Sequence, residues 1–182
     1  SADEVRRRGE RSAAGPGERG RRVGMDTGAR VVGPGHLTPE HQALRLLVHR
    51  PEEICDHLVA ALFDDPLNRA ALEALCDCDD LHSAMEASDG VVADLLGRLA
   101  VQDASDDEPR SILSRLLFLA AERAAVALEA EARLSGDLAT YQPSISFLRT
   151  QIIGLRETPA DLATVEPLLR WLVDYSEGRV DV

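Results

Sequence analysis

At 182 residues, with 45 % hydrophobic but only 3 % aromatic content, the chain can bury a core in one compact domain. Its apolar mass is Leu, Ala and Val, which favours helices over sheets. All twenty cationic side chains are Arg and the formal net charge is −12, split as eight Arg and five acids over residues 1–35 (+3) and twelve Arg and twenty-seven acids over 36–182 (−15). A surplus of that size repels phosphate backbones, which argues against strong nucleic-acid binding by residues 36–182 and suits a partner with a basic face; no run approaches the roughly 20 apolar residues of a membrane span.

Residues 1–35 read as a flexible Arg/Gly-rich linker. They hold eight of the thirteen Gly, interspersed with Arg and without apolar periodicity. Such a segment buries too little surface to offset its ordering entropy. Arg6-Arg7-Arg8 could touch nucleic acid, although a solvated tether is the simpler reading. The start at Ser1 suggests a piece of a longer protein, and the first residues lack the apolar block of a signal peptide.

Helical signals begin near Leu37. Thr38-Pro39-Glu40 is a helix start, with a capping hydroxyl, a first-turn proline and an early acid. Ala43, Leu44, Leu47 and Val48 follow at helical spacing. Pro51 ends that helix and opens a second, with Ile54, Leu58 and Leu62 as its buried stripe. Asp65-Pro66 repeats the cap-then-proline signature before Leu67, Ala71, Leu72 and Leu75. Asp77, Asp79 and Asp80 break that helix. A short helix over 81–85 follows, and Asp89 caps another that carries Val91, Val92, Leu95, Leu96 and Leu99.

The strongest element spans 110–134, which contains neither Gly nor Pro and follows the acidic lead-in Asp106-Asp107-Glu108-Pro109. Its middle, from Ile112 to Ala121, is apolar on nearly all sides, so it is expected to be a central helix surrounded by others. Ser135-Gly136 stops it. The remainder reads as a helical hairpin. One helix covers 143–156, with Ile145, Leu148, Ile152 and Leu155 on one face. The other starts at a Thr164 cap, after a short helical turn, which places Pro167 in its first turn, where no bond is lost. The expected fold is all-α: a multi-helix bundle over 36–135, joined by its long helix to a C-terminal hairpin over 136–182 that leans on a neighbour.

No residue pattern selects an active site. His36, His41, His49 and His57 match no compact zinc spacing. Cys76-Asp77-Cys78-Asp79-Asp80 lacks the second Cys pair of a zinc site and the Gly and distant Glu of a calcium loop. A metal enzyme built on that cluster is the third-ranked reading, and no cofactor is expected. An odd count of three Cys argues against a disulfide framework and fits a reducing cytoplasm.

The off-stripe residues of the hairpin carry more information. Leu168, Leu169, Leu172 and Ser176 define the inner face of the last helix, with Trp171 and Tyr175 together at its edge. Phe147 and Ile153 fall off the stripe of the preceding helix. Either these four seat the hairpin on the core, or they form an anchor patch for a partner, with Arg170 and Asp174 in its polar rim.

Three segments carry a family resemblance: His-Gln-Ala-Leu-Arg-Leu-Leu-Val-His-Arg-Pro (41–51), Ile-Leu-Ser-Arg-Leu-Leu (112–117) leading to Phe-Leu-Arg (147–149), and Leu-Leu-Arg-Trp-Leu-Val (168–173). Together, over about 37–178, they resemble the C-terminal, helicase-binding domain of bacterial DnaG-type DNA primases. The resemblance implies a non-catalytic domain that recruits the primase to the replicative DnaB-type helicase during primer synthesis, with the catalytic and zinc domains upstream. It implies contact through the hairpin, at Phe147, Ile153, Arg170, Trp171, Asp174 and Tyr175. The N-terminal domain of such a helicase, which shares the bundle, and a stand-alone helical adaptor are the alternatives. In this reading the hairpin stands away from the bundle, and a chain ending before Gln142 stays folded.

Overall fold

The computed structural model describes residues 38–104, 106–157 and 162–180, backbone only at 162–164, all within the unit Gly35–Val182. The expectations for the linker 1–35, for His36 and for the turn before Thr164 lie outside the described residues. Seven α-helices and three 3₁₀ turns occur among the described residues, which contain no strand. The helices are α1 (Pro39–His49), α2 (Pro66–Asp77), α3 (Leu81–Ala87), α4 (Gly90–Ala100), α5 (Pro109–Ser135), α6 (Leu138–Glu157) and α7 (Leu162–Ser176). The fold is all-α.

Most helix starts follow from local chemistry. The Thr38 hydroxyl accepts from the His41 N–H at 3.2 Å, with Pro39 in the first turn. The Asp65 carboxylate accepts from the Leu67 and Asn68 N–H groups at 2.8 and 3.1 Å. Asp80 and Asp89 cap α3 and α4 in the same way. The acidic lead-in to α5 behaves differently. Glu108 supplies no side-chain cap, and Asp107 instead accepts from the Gln42 amide of α1 at 3.0 Å. Gly136 ends α5 at φ 72°, and its N–H donates to the Ala132 carbonyl at 3.1 Å.

Several expectations are corrected. The second predicted helix is three 3₁₀ turns, Pro51–Glu53, Cys55–His57 and Ala60–Leu62, the last two separated by extended backbone at Leu58 and Val59. Ile54, Leu58 and Leu62 are still buried. Side-chain donors hold the end of the segment: Arg123 of α5 donates to the Leu62 carbonyl at 3.0 Å, and Arg69 of α2 donates to that of Phe63 at 2.7 Å. Val91, one of the apolar residues that the helix capped by Asp89 carries, is 62 % exposed. Helix α6 begins five residues before Pro143, because the N–H and hydroxyl of Thr140 donate to Asp137 at 3.3 and 2.7 Å. Helix α7 already contains Thr164, so this residue is no cap and Pro167 lies inside the helix.

The boundary at 135/136 separates no cores. Ile145 and Leu148 of α6 and Val165, Leu168 and Leu172 of α7 belong to the same buried cluster as Leu44, Phe63, Leu96 and Leu117. Helix α6 folds back along α5, its closest partner, and α7 packs on α5 and the 60–62 turn. The last two helices therefore do not stand away as an independent hairpin. The cause lies in α5, whose buried residues Ile112, Leu113, Leu116, Leu117, Ala120, Ala121, Ala124, Ala125 and Leu128 spread over about 220° of its circumference at 100° per residue. One layer of helices cannot cover such a surface. Ion pairs Arg149–Glu129 (2.6 Å) and Arg156–Glu122 (3.2 Å), and Arg156 placed 5.0 Å from the Phe118 ring centre, fasten α6 to α5. These exposed pairs add little to stability beside the burial.

The caps of α3 and α6 carry a pH signature. Bonds from the Thr140 hydroxyl and N–H hold the Asp137 carboxyl below its ordinary range, and the Ser83 N–H does the same for Asp80. A carboxyl lowered by folding contributes stability above its unfolded pKa and loses it as pH falls through its folded pKa. Asp137→Ala is therefore expected to lower the melting temperature slightly at pH 7, with a gap from the parent chain that closes on acidification below the usual carboxylate range. A gap of equal size across that range in thermal melts would remove the charged cap from the account.

Candidate docking surface

The edge where α5, α6 and α7 meet carries an aromatic group. Trp171 and Tyr175 are four residues apart on α7, which brings them onto one face. Their rings stack with centres 5.1 Å apart and planes 12° apart. Phe147 of α6 meets Trp171 at 6.2 Å with a 45° tilt. All three rings are partly buried and rest on the core. Burial pushes the Tyr175 phenol above its ordinary pKa, with the Glu131 carboxylate and Tyr141 adding to the shift. Glu131 of α5 and Tyr141 of α6 thus border the same edge.

Arg170, Trp171 and Asp174, with Glu166 and Pro167, line a shallow depression of about 380 Å³ beside the rings. The last turn holds this rim in place. Gly178 sits at φ 67°, its N–H donates to the Tyr175 carbonyl at 3.0 Å, and the Arg179 N–H donates to the Asp174 carbonyl at 2.8 Å. This is the double-bonded glycine stop of a helix. The Arg179 guanidinium pairs with Asp174 at 3.0 Å and with Glu177.

Five of the six residues singled out in the sequence come together here: Phe147, Arg170, Trp171, Asp174 and Tyr175. Ile153 does not join them. Six residues past Phe147, at about 100° per residue, it points about 240° around α6, and it stands 57 % exposed by itself. Glu131 and Tyr141 went unnoticed in the sequence because their relation to Tyr175 depends on how α5 and α6 pack against α7.

The histidine and cysteine candidates have structural surroundings. His49 Nε2 bonds the Leu99 carbonyl at 3.1 Å and joins α1 to the end of α4. Burial lowers the His41 pKa against an opposing bond to Gln102, and Arg45 and Arg98 lower it further. Burial raises the Cys76 thiol, helped by Asp77 and Cys55, so its nucleophilic thiolate is disfavoured. Among the described residues no group of three His, Cys, Asp or Glu side chains could hold a metal ion, and no helix is long and apolar enough to cross a membrane.

A second surface was not legible in the sequence. A groove of about 960 Å³ runs along α5, floored by Leu119, Val126, Ala127 and Ala130 and walled by Pro39 and Pro66. Comparisons of the chain with protein-family models, with curated proteins and with solved structures find no match.

Proposed function

We propose that this chain is a non-catalytic, cytoplasmic protein-docking domain that recruits a DNA primase to the replicative DnaB-type helicase, with the aromatic edge of α6 and α7 as its contact. The observation that carries this reading is the group Phe147–Trp171–Tyr175, three rings packed on one another and left partly exposed by their own chain. Partly exposed Trp and Tyr supply apolar area at little entropic cost, the usual make-up of an interface hot spot. Arg170 and Asp174 beside them supply the polar rim. The surplus of acids over residues 36–182 and the resemblance to the primase C-terminal domain support the same reading.

The test is calorimetric titration of the full chain with the replicative helicase of its own organism. Trp171→Ala is expected to weaken binding by more than about 2 kcal/mol, roughly thirtyfold. Ile153→Ala, away from the rings, is expected to change it by less than about 0.5 kcal/mol. Absence of any binding by the parent chain refutes the helicase as partner. A Trp171→Ala chain that melts earlier yet binds as before assigns the ring to seating α7.

A further inference from the structure

A depression of about 360 Å³ lies between α5 and α6 at the start of α1 and shares no residue with the aromatic edge. Phe118 and Leu119 of α5, Leu155 of α6 and Pro39 of α1 form its apolar body, and Arg115 and Arg156 supply its charge. Phe118 and Leu155 are partly buried, whereas Leu119 and both Arg are exposed. Helical spacing explains the arrangement. Arg115, Phe118 and Leu119 stand at i, i+3 and i+4 on one face of α5. Helix α6, running back along α5, brings Leu155 and Arg156 opposite them.

The lining carries no carboxylate, although residues 36–182 hold twenty-seven acids against twelve Arg. The depression beside Arg170 includes Glu166 and Asp174, and one beside Arg110 includes Glu53 and Glu108. Arg115 belongs to no ion pair among the described residues. Its neighbours three and four places away on α5 are Ser111, Ile112, Phe118 and Leu119, none of them acidic. Arg156 is shared. It pairs with Glu122 at 3.2 Å, one turn beyond Phe118, and its guanidinium lies 5.0 Å from the centre of the Phe118 ring. The ring contact holds that guanidinium at the rim, and its five N–H donors allow a second acceptor beside Glu122. Ser114, the remaining lining residue, is neutral, and its hydroxyl donates to the Arg110 carbonyl at 2.7 Å. Setting Glu122 against Arg156 still leaves the charge of Arg115 uncompensated.

A guanidinium fork beside an apolar floor matches a carboxylate carried on an apolar body. The volume lies at the small end of the range for small-molecule sites, about 300–1,000 Å³. A phosphate ester also matches the fork, but its second charge meets the repulsion of the acidic surplus over residues 36–182, which favours a single charge. We propose that this depression binds a small apolar monocarboxylate, its carboxylate on Arg115 and Arg156 and its body on Phe118, Leu119 and Leu155. The site is independent of the aromatic edge.

The probes are naphthoate, its neutral amide and the more highly charged naphthyl phosphate. Each is titrated into the full isotope-labelled chain and followed by NMR, including the arginine side-chain Nε–H signals. Naphthoate is expected to bind at least tenfold more tightly than the amide. It is expected to shift the Nε–H signals of Arg115 and Arg156 together with backbone amides around Phe118 and Leu155. Arg115→Gln, at an exposed position, is expected to weaken naphthoate binding tenfold or more, whereas Trp171→Ala leaves it unchanged. Equal affinities for acid and amide, or no saturable shift with naphthoate, overturns the proposal. So does an Arg115→Gln chain that binds naphthoate as the parent does, or a set of shifts confined to other surfaces. Tighter binding of naphthyl phosphate than of naphthoate overturns the assignment to a monocarboxylate.

Discussion

A chain ending at residue 137 is expected to lose its cooperative unfolding transition. The cut removes α6 and α7, and with them Ile145, Leu148, Val165, Leu168 and Leu172, each 5 % exposed or less. Burying a side chain of this size contributes about 1.5–3 kcal/mol, so the five together supply roughly 7–15 kcal/mol as an upper estimate. That matches the whole net stability of an ordinary domain, about 5–15 kcal/mol. The cut also bares the side of α5 that these helices cover, because α5 is apolar around most of its circumference. Thermal and urea melts followed by circular dichroism check this. The expected result is a broad, sloping loss of helicity with dye-binding apolar surface. A sharp transition in the shortened chain would show that 38–135 folds autonomously, as the sequence reading with its separate hairpin implied.

Glu40→Ala is expected to cost about 3 kcal/mol. Glu40 lies in the first turn of α1, where an acid ordinarily serves its own helix dipole. Instead its carboxylate reaches across the core edge and gathers the start of α2: it accepts from the Asp64 N–H at 2.7 Å, the Asp65 N–H at 3.3 Å and the Asn68 amide at 2.9 Å. It is 8 % exposed, one of two buried polar side chains among the described residues. Hydrogen bonds to a charged group are worth about 1.5–3 kcal/mol each and do not add fully, and Ala would leave three donors unpaired where water reaches poorly. For a domain of this size the loss corresponds to a fall of roughly 6–12 °C in Tm. Glu40→Gln keeps one acceptor oxygen and most of the shape, and is expected to lose about half as much. Equal urea midpoints for the parent and Glu40→Ala chains would mean that water replaces the carboxylate at no cost.

Much of the helical framework was legible because its signals are local. Thr38-Pro39, Asp65-Pro66 and Asp89 each satisfy N–H groups two or three residues away, and Gly136 needs only its own freedom at positive φ; Asp80, read as a helix breaker, also caps α3. The same holds for the Trp171–Tyr175 pair, since a spacing of four on a helix makes neighbours. The apolar run of α5 announced a central helix in the same way, although its face at Arg115, Leu119 and Val126 stays exposed. Local signals failed where two segments competed for one group. The 51–62 segment carries a helical stripe, yet it settles as 3₁₀ turns, with Arg123 of α5 bound to the carbonyl of its last residue, Leu62.

The amino-acid order by itself thus determined the helix class, most helix ends and the residues that had to be covered. Only the tertiary structure decided what covers them: that α6 and α7 lie on α5 and share one core, that Phe147 meets Trp171 while Ile153 does not, and that Glu40 serves α2. The physical reason is range. Capping and periodicity act within one or two turns, where sequence separation equals spatial separation. Which helix faces fit together depends on side-chain shape summed over contacts distant in the chain, and no short window of sequence contains that sum.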